Sequence, residues 1–293
     1  MSEETPVYEN DQANGSSDNP KQDFELYIKA SAIDKETRGS CPICHQWFMM
    51  SYLMAENQEG VNFKVFTVQA DCPPKNFLEE GWSKKFPVVK ARSCITKTGQ
   101  DISGMMYDTF EELEVFFESI NKDCPELKRR NAPNVEAMKC VEDLYKTFNH
   151  YLQGKPDTTM LAELKKLDEF LASHESKFLV DDVLSFSDCH LLPRLQHLRV
   201  AGKAYKGFEI PKEFSHIWRY LANAYEIPAF KSTLPSDQDI VFAYEKKATS
   251  GPLCRGKGPK PTLEKFTYTT SVPKDFLDNE TNRNGNDSDM ESQ

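Results

Sequence analysis

The sequence predicts a two-domain protein whose N-terminal half is α/β and whose C-terminal half is entirely helical. The first observation is a set of short segments before residue 100 that alternate apolar and polar residues or are rich in β-branched and aromatic ones, as strands are. The second is a series of apolar stripes at helical spacing after residue 134. The third is the length of 293 residues, which suits one large domain or two of ordinary size.

In the N-terminal half, strands and helices are predicted to alternate. Phe24, Leu26 and Ile28 share one side of the first segment, which is the period of a strand. Asp108 and Glu111 have the spacing of a capping box at the start of a helix. The predicted elements are strands at 24–30, 61–68, 86–89 and 93–97 and helices at 45–57, 76–82 and 108–120.

A linker is predicted at residues 122–133, because this segment contains two prolines and a basic cluster. It separates an α/β domain at 23–121 from a helical domain at 134–248. Ser185 and Asp188 are spaced as a second capping box, and this structural role is preferred over a catalytic serine because no oxyanion donors accompany it. The apolar stripes, interpreted as core, run through 135–152, 161–171, 191–198 and 214–225, and the last helix is predicted at 237–247.

The net charge of −10 is concentrated at the two ends of the chain. Residues 1–22 carry five acidic side chains and one basic one, and residues 275–293 carry six and one. Both ends are rich in Asn, Ser, Asp and Glu and cannot bury enough apolar surface to offset the entropy of ordering, so residues 1–22 are predicted to be a disordered acidic tail, and residues 249–293 a Gly/Pro-rich linker with a second such tail. An acidic chain is poorly suited to binding nucleic acid, and no such partner is expected.

The N-terminus lacks the pattern of a secretory signal, and no run of about 20 apolar residues predicts a permanent membrane span. Eight cysteines in a chain of this kind are expected to be reduced thiols in the cytoplasm.

The strongest chemical signal is Cys41-Pro-Ile-Cys44, which lies between a predicted strand and a predicted helix. A thiol at a helix N-terminus meets free backbone N–H groups and the positive end of the helix dipole, which favour the thiolate. Cys41 is therefore the candidate nucleophile, and Cys44, one turn later, can resolve a mixed disulfide. Two alternatives stay open. The first is a zinc site, but this would need a second ligand pair, and no other CxxC or HxxxH occurs, so no metal is expected. The second is that the two cysteines are an inert, buried structural pair.

The dipeptide Phe86-Pro87 is a second candidate part of the site when it is considered together with this motif. In a thioredoxin-like sheet a cis-proline faces the redox cysteine and exposes the backbone of the residue before it, which can pair with an extended thiol peptide. We therefore predict a cis peptide bond between Phe86 and Pro87, although an ordinary trans proline would be the default for the dipeptide alone.

A thioredoxin-like half followed by a helical half resembles the glutathione transferase architecture, and finer motifs resemble the chloride intracellular channel (CLIC) family. The resemblance covers roughly residues 24–247. The segment Arg194-Leu-Gln-His-Leu-Arg-Val-Ala-Gly202 is especially similar to invertebrate members. The other motifs are Glu25-Leu-Tyr-Ile-Lys-Ala30, Cys41-Pro-Ile-Cys44 followed by Phe48-Met49, Val65-Phe-Thr-Val68, Lys177-Phe-Leu179, Asp188-Cys-His-Leu-Leu-Pro-Arg-Leu195, Tyr205-Lys-Gly-Phe-Glu-Ile-Pro211, Arg219-Tyr-Leu-Ala-Asn-Ala-Tyr225 and Pro235-Ser-Asp-Gln-Asp-Ile240.

This resemblance implies a soluble monomer that takes glutathione as a bound thiol co-substrate. Cys41 matches the family's redox-active cysteine and Pro87 its cis-proline, while Cys44 is not found in every member. Asp108 and Thr109 lie near the position where glutathione transferases hold the γ-glutamyl group. The resemblance also implies conditional association with anionic membranes, chloride channel activity, and cytoskeletal or signalling partners.

Two functions of different class follow. The first is a glutathione-dependent, glutaredoxin-like thiol–disulfide oxidoreductase using Cys41, which is cytoplasmic and enters membranes conditionally as a channel. The alternative is a non-catalytic scaffold with a glutathione transferase fold. The residues alone do not decide whether the protein is an enzyme.

Overall fold

Within the described residues, which are 22–73, 75, 85–249 and 266–276 of a computed structural model, the N-terminal domain contains one four-stranded sheet. Its strands are β1 (Gln22–Lys29), β2 (Val61–Val68), β3 (Val88–Ser93) and β4 (Met106–Tyr107), in the order β2-β1-β3-β4. β1 and β2 are parallel, whereas β3 runs antiparallel to β1, and β4 antiparallel to β3. Helix α1 (Pro42–Asn57) joins β1 to β2, and α2 (Phe110–Ile120) follows β4. The predicted α/β class is confirmed.

The predicted fourth strand at 93–97 is wrong. Ser93 ends β3, and Ile95 makes only an isolated bridge to Asp101. The chain reverses at Gly99, whose φ of +83° is open to glycine without strain and whose N–H donates to the carbonyl of Thr96 (2.9 Å). The partner of β3 is therefore β4, which lies after this turn.

The capping box of α2 lies one residue later than predicted. Thr109, not Asp108, is the N-cap, because its backbone is extended and its hydroxyl accepts the N–H of Glu112 (3.2 Å). Glu112 in turn accepts the N–H groups of Asp108 (3.3 Å) and Thr109 (3.2 Å). Glu111 takes no part in the box.

The C-terminal domain consists of helices, as predicted. After a 3₁₀ turn at Pro125–Leu127, the helices are α3 (Ala132–Val141), α4 (Leu144–Leu152), α5 (Thr158–Ala172), α6 (Phe186–Lys206), α7 (Ser215–Glu226), α8 (Pro228–Lys231) and α9 (Asp237–Thr249). Helix α3 begins inside the predicted linker, because Pro133 occupies its first turn, where a missing N–H is tolerated. No helix among these residues is long and apolar enough to span a bilayer.

Aromatic side chains join the two domains. Trp47 on α1 is fully buried, and its ring lies 4.8 Å from that of Phe117 on α2 and 6.3 Å from that of Phe186 on α6. Apolar burial of this kind is the main force that holds such elements together. The CxxC helix is thus packed from both domains.

Residues 266–276 correct the prediction that the whole of 249–293 is linker and disordered tail. Asp237, the first residue of α9, accepts the N–H and the hydroxyl of Thr269, each at 3.0 Å. Arg199 on α6 donates to a backbone carbonyl of the segment (2.7 Å). This segment is held because the helical domain offers it polar partners that its composition alone did not reveal. The predicted tail at 1–22 lies outside the described residues apart from Gln22, which begins β1, and the predicted helix at 76–82 also lies outside them.

Candidate functional site

Cys41 is the N-cap residue of α1, and Pro42 is the first residue of the helix. The Cys41 side chain is partly exposed, whereas Cys44, one turn later, is buried. Both are free thiols. One thiol of the pair therefore faces solvent and the other faces the core.

The surroundings of Cys41 favour its thiolate. A hydrogen bond from the Cys44 thiol lowers the pKa of Cys41 to about 6, although burial acts in the opposite direction. The N–H groups of Cys44 and Ile43 and the charge of Lys29 lower it further, although no backbone N–H makes a regular capping hydrogen bond to the sulfur. Burial raises the pKa of Cys44, so Cys44 stays a thiol and can donate a hydrogen bond to Cys41.

The loop that leads to Cys41 is fastened to the helical domain. Asp239 on α9 is buried and accepts hydrogen bonds from the Ser31 hydroxyl (2.8 Å) and the Ala32 N–H (3.0 Å). Arg38 donates from Nε to the carbonyl of Leu234 (3.0 Å). Because a buried carboxylate needs such partners, these contacts hold the loop in one place.

Gly39 brings the chain close to the end of β1 just before Cys41. Its N–H donates to the carbonyl of Lys29 (2.8 Å), and a Cβ at this position would lie 2.4 Å from the carbonyl oxygen of Ala30. No side chain fits in that space. Only glycine lets the loop approach the strand and turn directly into α1.

A cavity of about 410 Å³ opens beside Cys41, with one wall from each domain. Among the described residues, three lysines, Lys29, Lys35 and Lys247, line it against one acidic residue, Asp71. Its neutral lining residues are Ala30, Ser31, Ala32, Gly39, Ser40, Pro42, Gln69 and Ala70 on one side and Tyr145, His197, Ala243 and Tyr244 on the other. The cavity is basic although the chain as a whole is acidic, which favours anionic ligands.

The other sequence-predicted site residues lie elsewhere. The Phe86–Pro87 peptide bond is cis, as predicted, but both residues are buried and neither lines the cavity. Asp108 and Thr109 are half-buried at the start of α2 and do not line it either. Among the described residues, no three metal-ligating side chains cluster.

Sequence reasoning missed the helical wall of the cavity. Its spacing places Tyr145 in an apolar stripe, and no local pattern predicts a site role for His197 or Tyr244. Tyr145 and Tyr244 are 99 residues apart, yet their hydroxyls are hydrogen-bonded. The only sequence signal was the presence of hydroxyl- and imidazole-bearing residues on the buried faces of α4, α6 and α9.

The mixed sheet, the cis-proline, the CxxC at the start of α1 and the helical second domain define a protein with the glutathione transferase fold. Known structures of that fold resemble it: Chlamydomonas reinhardtii dehydroascorbate reductase has a TM-score of 0.60 at 22% identity, covering 76% of this chain and 98% of that one. A trimeric glutathione transferase from Leishmania has a TM-score of 0.55 at 16% identity, covering 79% of this chain and 50% of that one.

The family follows from closer relatives. The chloride intracellular channel Clic of Drosophila melanogaster is 32% identical over 276 residues, which are 93% of this chain and 98% of the relative. The chloride intracellular channel exc-4 of Caenorhabditis elegans is 27% identical over 87% of this chain and 89% of its own. The crystal structure of the C. elegans CLIC homologue EXC-4 has a TM-score of 0.72 at 25% identity, covering 90% of this chain and 98% of that one. The chain belongs to the chloride intracellular channel family. No protein-family model matches it.

Proposed function

We propose that the protein is a glutathione-dependent thiol–disulfide oxidoreductase of glutaredoxin type, with Cys41 as its nucleophile. The observation that supports this most is the lowered pKa of Cys41, at the mouth of a basic cavity. At neutral pH this thiol is largely ionised, and the thiolate is the form that attacks disulfides.

The proposed reaction has two exchange steps. The Cys41 thiolate attacks one sulfur of a disulfide G–S–S–R, where G–S is the glutathionyl group. A bond forms between Cys41 Sγ and the glutathionyl sulfur, and R–S⁻ leaves with the electron pair of the broken bond. A glutathione thiolate then attacks the same glutathionyl sulfur, which releases oxidised glutathione and restores the Cys41 thiolate. Burial raises the pKa of Cys44 and keeps it a thiol, which supports resolution by glutathione rather than by Cys44.

We place the glutathionyl group beside Phe86, Pro87, Asp108 and Thr109, as the family resemblance implies. The Thr109 hydroxyl accepts the N–H of Glu112 and is also hydrogen-bonded to the Glu112 carboxylate, so a ligand carboxylate would have to compete with Glu112 for its proton. The N–H groups of Asp108 and Thr109 are bonded to Glu112 and are less available.

The test is glutathione-coupled reduction of 2-hydroxyethyl disulfide, followed through consumption of NADPH by glutathione reductase. We expect turnover by the natural protein and none by Cys41→Ser. Cys72→Ser is the matched control, because Cys72 is exposed and lies outside the cavity lining. Equal rates for the natural protein and Cys41→Ser would refute the proposal. A folded protein without turnover would favour the non-catalytic scaffold.

A second function, conditional entry into membranes as a chloride channel, is favoured by the names of the curated relatives. In the soluble fold, α1 is central to the core, so insertion requires the N-terminal domain to be rebuilt. Chloride efflux from liposomes should then rise with protein dose and fall when Cys41 is alkylated. Efflux no greater than that of heat-denatured protein would remove this function.

A further inference from the structure

The helical wall of the cavity carries a chain of three hydrogen-bonding side chains opposite the loop of Cys41. The Tyr145 hydroxyl is bonded to the Tyr244 hydroxyl, which lies 3.1 Å from Nδ1 of His197. His197 is 1% exposed, and its Nε2 is buried without a partner. Buried polar atoms without a protein partner are rare, so the His197 ring keeps unused hydrogen-bonding capacity at this wall.

The protonation states of these three side chains limit the directions in which their hydrogen bonds can run. Burial lowers the pKa of His197 to about 3, helped by the charges of Arg194 and Lys247, so its ring is neutral and carries one proton. Burial raises the pKa of both Tyr145 and Tyr244, so both phenols stay protonated.

Two orientations of the chain are therefore available. With the imidazole proton on Nδ1, His197 donates to Tyr244, Tyr244 donates to Tyr145, and the Tyr145 proton is free to point into the cavity. With the proton on Nε2, each of these bonds reverses, and the free donor is the imidazole instead. Only the first orientation offers the cavity a phenolic donor that two further hydrogen bonds polarise.

The charges around Tyr145, Tyr244 and His197 select the kind of molecule that can bind against this wall. Lys247 belongs to the same helix as Tyr244, and its ammonium lies 5.3 Å from that ring. Lys29 and Lys35 complete the basic lining from the other domain. A ligand that enters between these groups is favoured if it is negatively charged.

We propose that this wall is the subsite for the half of the disulfide that leaves, that Tyr145 donates a hydrogen bond to the departing sulfur, and that the lysines select leaving thiols that bear carboxylates. The inference rests on the proposed oxidoreductase function. In the first exchange step, the R–S⁻ that leaves carries a full negative charge, which a neutral phenol can stabilise without losing its proton. The thiolate then takes a proton from water.

The first test compares Tyr145→Phe with the natural protein on mixed disulfides of glutathione with thiols that range from arene thiols to alkyl thiols. Thiols of low pKa leave readily without help. A lost hydrogen bond to the leaving anion should therefore reduce kcat/KM about tenfold for alkyl thiols and little for arene thiols. Tyr205→Phe is the matched control, because the Tyr205 hydroxyl donates to the carbonyl of Val241 on α9 and does not line the cavity.

The second test compares two symmetrical disulfides of similar size, the dianionic 3,3′-dithiodipropionate and the dicationic cystamine. The natural protein should prefer the dianion several-fold at low salt, and added salt should reduce the preference. Lys247→Gln should lower the preference, and the neighbouring Lys246→Gln, which does not line the cavity, should leave it unchanged.

The outcomes separate this inference from the function on which it rests. If the natural protein and Tyr145→Phe show the same dependence on the leaving thiol, and neither disulfide is preferred, the subsite is refuted while the oxidoreductase stands. If the natural protein reduces none of these disulfides, both are refuted. Thermal melts of each variant show that it is folded.

Discussion

At the residue scale, the reactivity that we propose for Cys41 depends on a hydrogen bond from Cys44. The buried thiol keeps its proton because burial raises its pKa, and it can donate this proton to the exposed sulfur. A hydrogen bond to the ionised form of a group lowers its pKa. Cys44 thus lowers the pKa of Cys41 and itself stays protonated at neutral pH.

Removal of the donor at position 44 should make Cys41 less acidic. In the natural protein the rate of Cys41 alkylation should reach half its maximum near pH 6, because the thiolate predominates above the pKa. Cys44→Ala should move that midpoint upward by about one unit or more. Cys44→Ser keeps an O–H donor and should move it less. The pH profile of iodoacetamide labelling, read by mass spectrometry of the Cys41 peptide, gives both midpoints, and identical midpoints would contradict the role of Cys44.

The sequence was sufficient to predict that Cys41 and Cys44 lie one turn apart at the start of a helix, because a CxxC motif is a local pattern; their catalytic role stays a prediction. The same holds for the cis bond before Pro87, which follows from the thioredoxin-like context. Tyr145 and Tyr244 could not be predicted as a pair. Their contact depends on how α4 and α9 pack, and no local spacing encodes that packing.

At the element scale, the start of α6 is fixed by one buried carboxylate. Asp188 accepts the N–H of Ser185 (2.8 Å), the N–H of Leu179 (3.0 Å) and the hydroxyl of Tyr220 (3.0 Å). It also accepts the Ser185 hydroxyl (2.6 Å). The capping box predicted from the sequence is present, and the same side chain ties the preceding loop and α7 to the helix.

Loss of the Asp188 carboxylate should therefore destabilise the whole helical domain. Asp188→Ala leaves several buried donors without an acceptor, and we expect the free energy of unfolding to fall by at least about 3 kcal/mol. Asp157→Ala is the matched control, because Asp157 is also an N-cap but its side chain makes no capping hydrogen bond. Its cost should be below about 1 kcal/mol. Urea unfolding of both variants measures the difference, and similar losses would contradict the account.

The other predicted box shows why element boundaries are harder to predict than elements. Asp108 and Thr109 are both good N-cap residues, and both have an acidic residue three positions later. Which of them caps α2 depends on the backbone conformation that β4 imposes on the incoming chain. The helix was therefore predicted correctly, and its first residue was not.

At the scale of the whole molecule, two buried histidines and one partly buried histidine make the fold sensitive to acid. Burial lowers the pKa of His45, His190 and His197 to about 3 each, whereas in the unfolded chain a histidine titrates near 6.5. Between pH 3 and pH 6.5, these histidines bind protons in the unfolded state but not in the folded state. The contribution of these histidines to the free energy of unfolding is therefore fully present above about pH 6.5 and is lost as the pH is lowered toward 3. Each histidine lowers the free energy of unfolding by up to about 1.4 kcal/mol per pH unit in this range.

Replacing one of these histidines by glutamine should remove its contribution to the pH dependence of the free energy of unfolding. Between pH 7 and pH 5, the loss in free energy of unfolding should be smaller in His45→Gln than in the natural protein by about 2 kcal/mol. His174 is exposed, and His174→Gln is the control that should keep the natural slope. Denaturant unfolding at both pH values gives the comparison, and parallel slopes for the natural protein and His45→Gln would contradict the assignment.

The two-domain architecture could be predicted because it rests on periodicity and on the order of elements, which the sequence states directly. The placement of residues 266–276 could not. Their composition is that of a linker, and their attachment depends on Asp237 and Arg199, which other parts of the fold bring into position.

Helix α9 has a consequence for the order in which the site is completed. It binds residues 266–276 through Asp237, holds the loop before Cys41 through Asp239, and supplies Tyr244 to the cavity. Ser31 and Asp239 are 208 residues apart in sequence. Synthesis proceeds from the N-terminus, and N-terminal domains generally fold first. A growing chain therefore carries Cys41 long before the helix that closes the other side of the cavity exists.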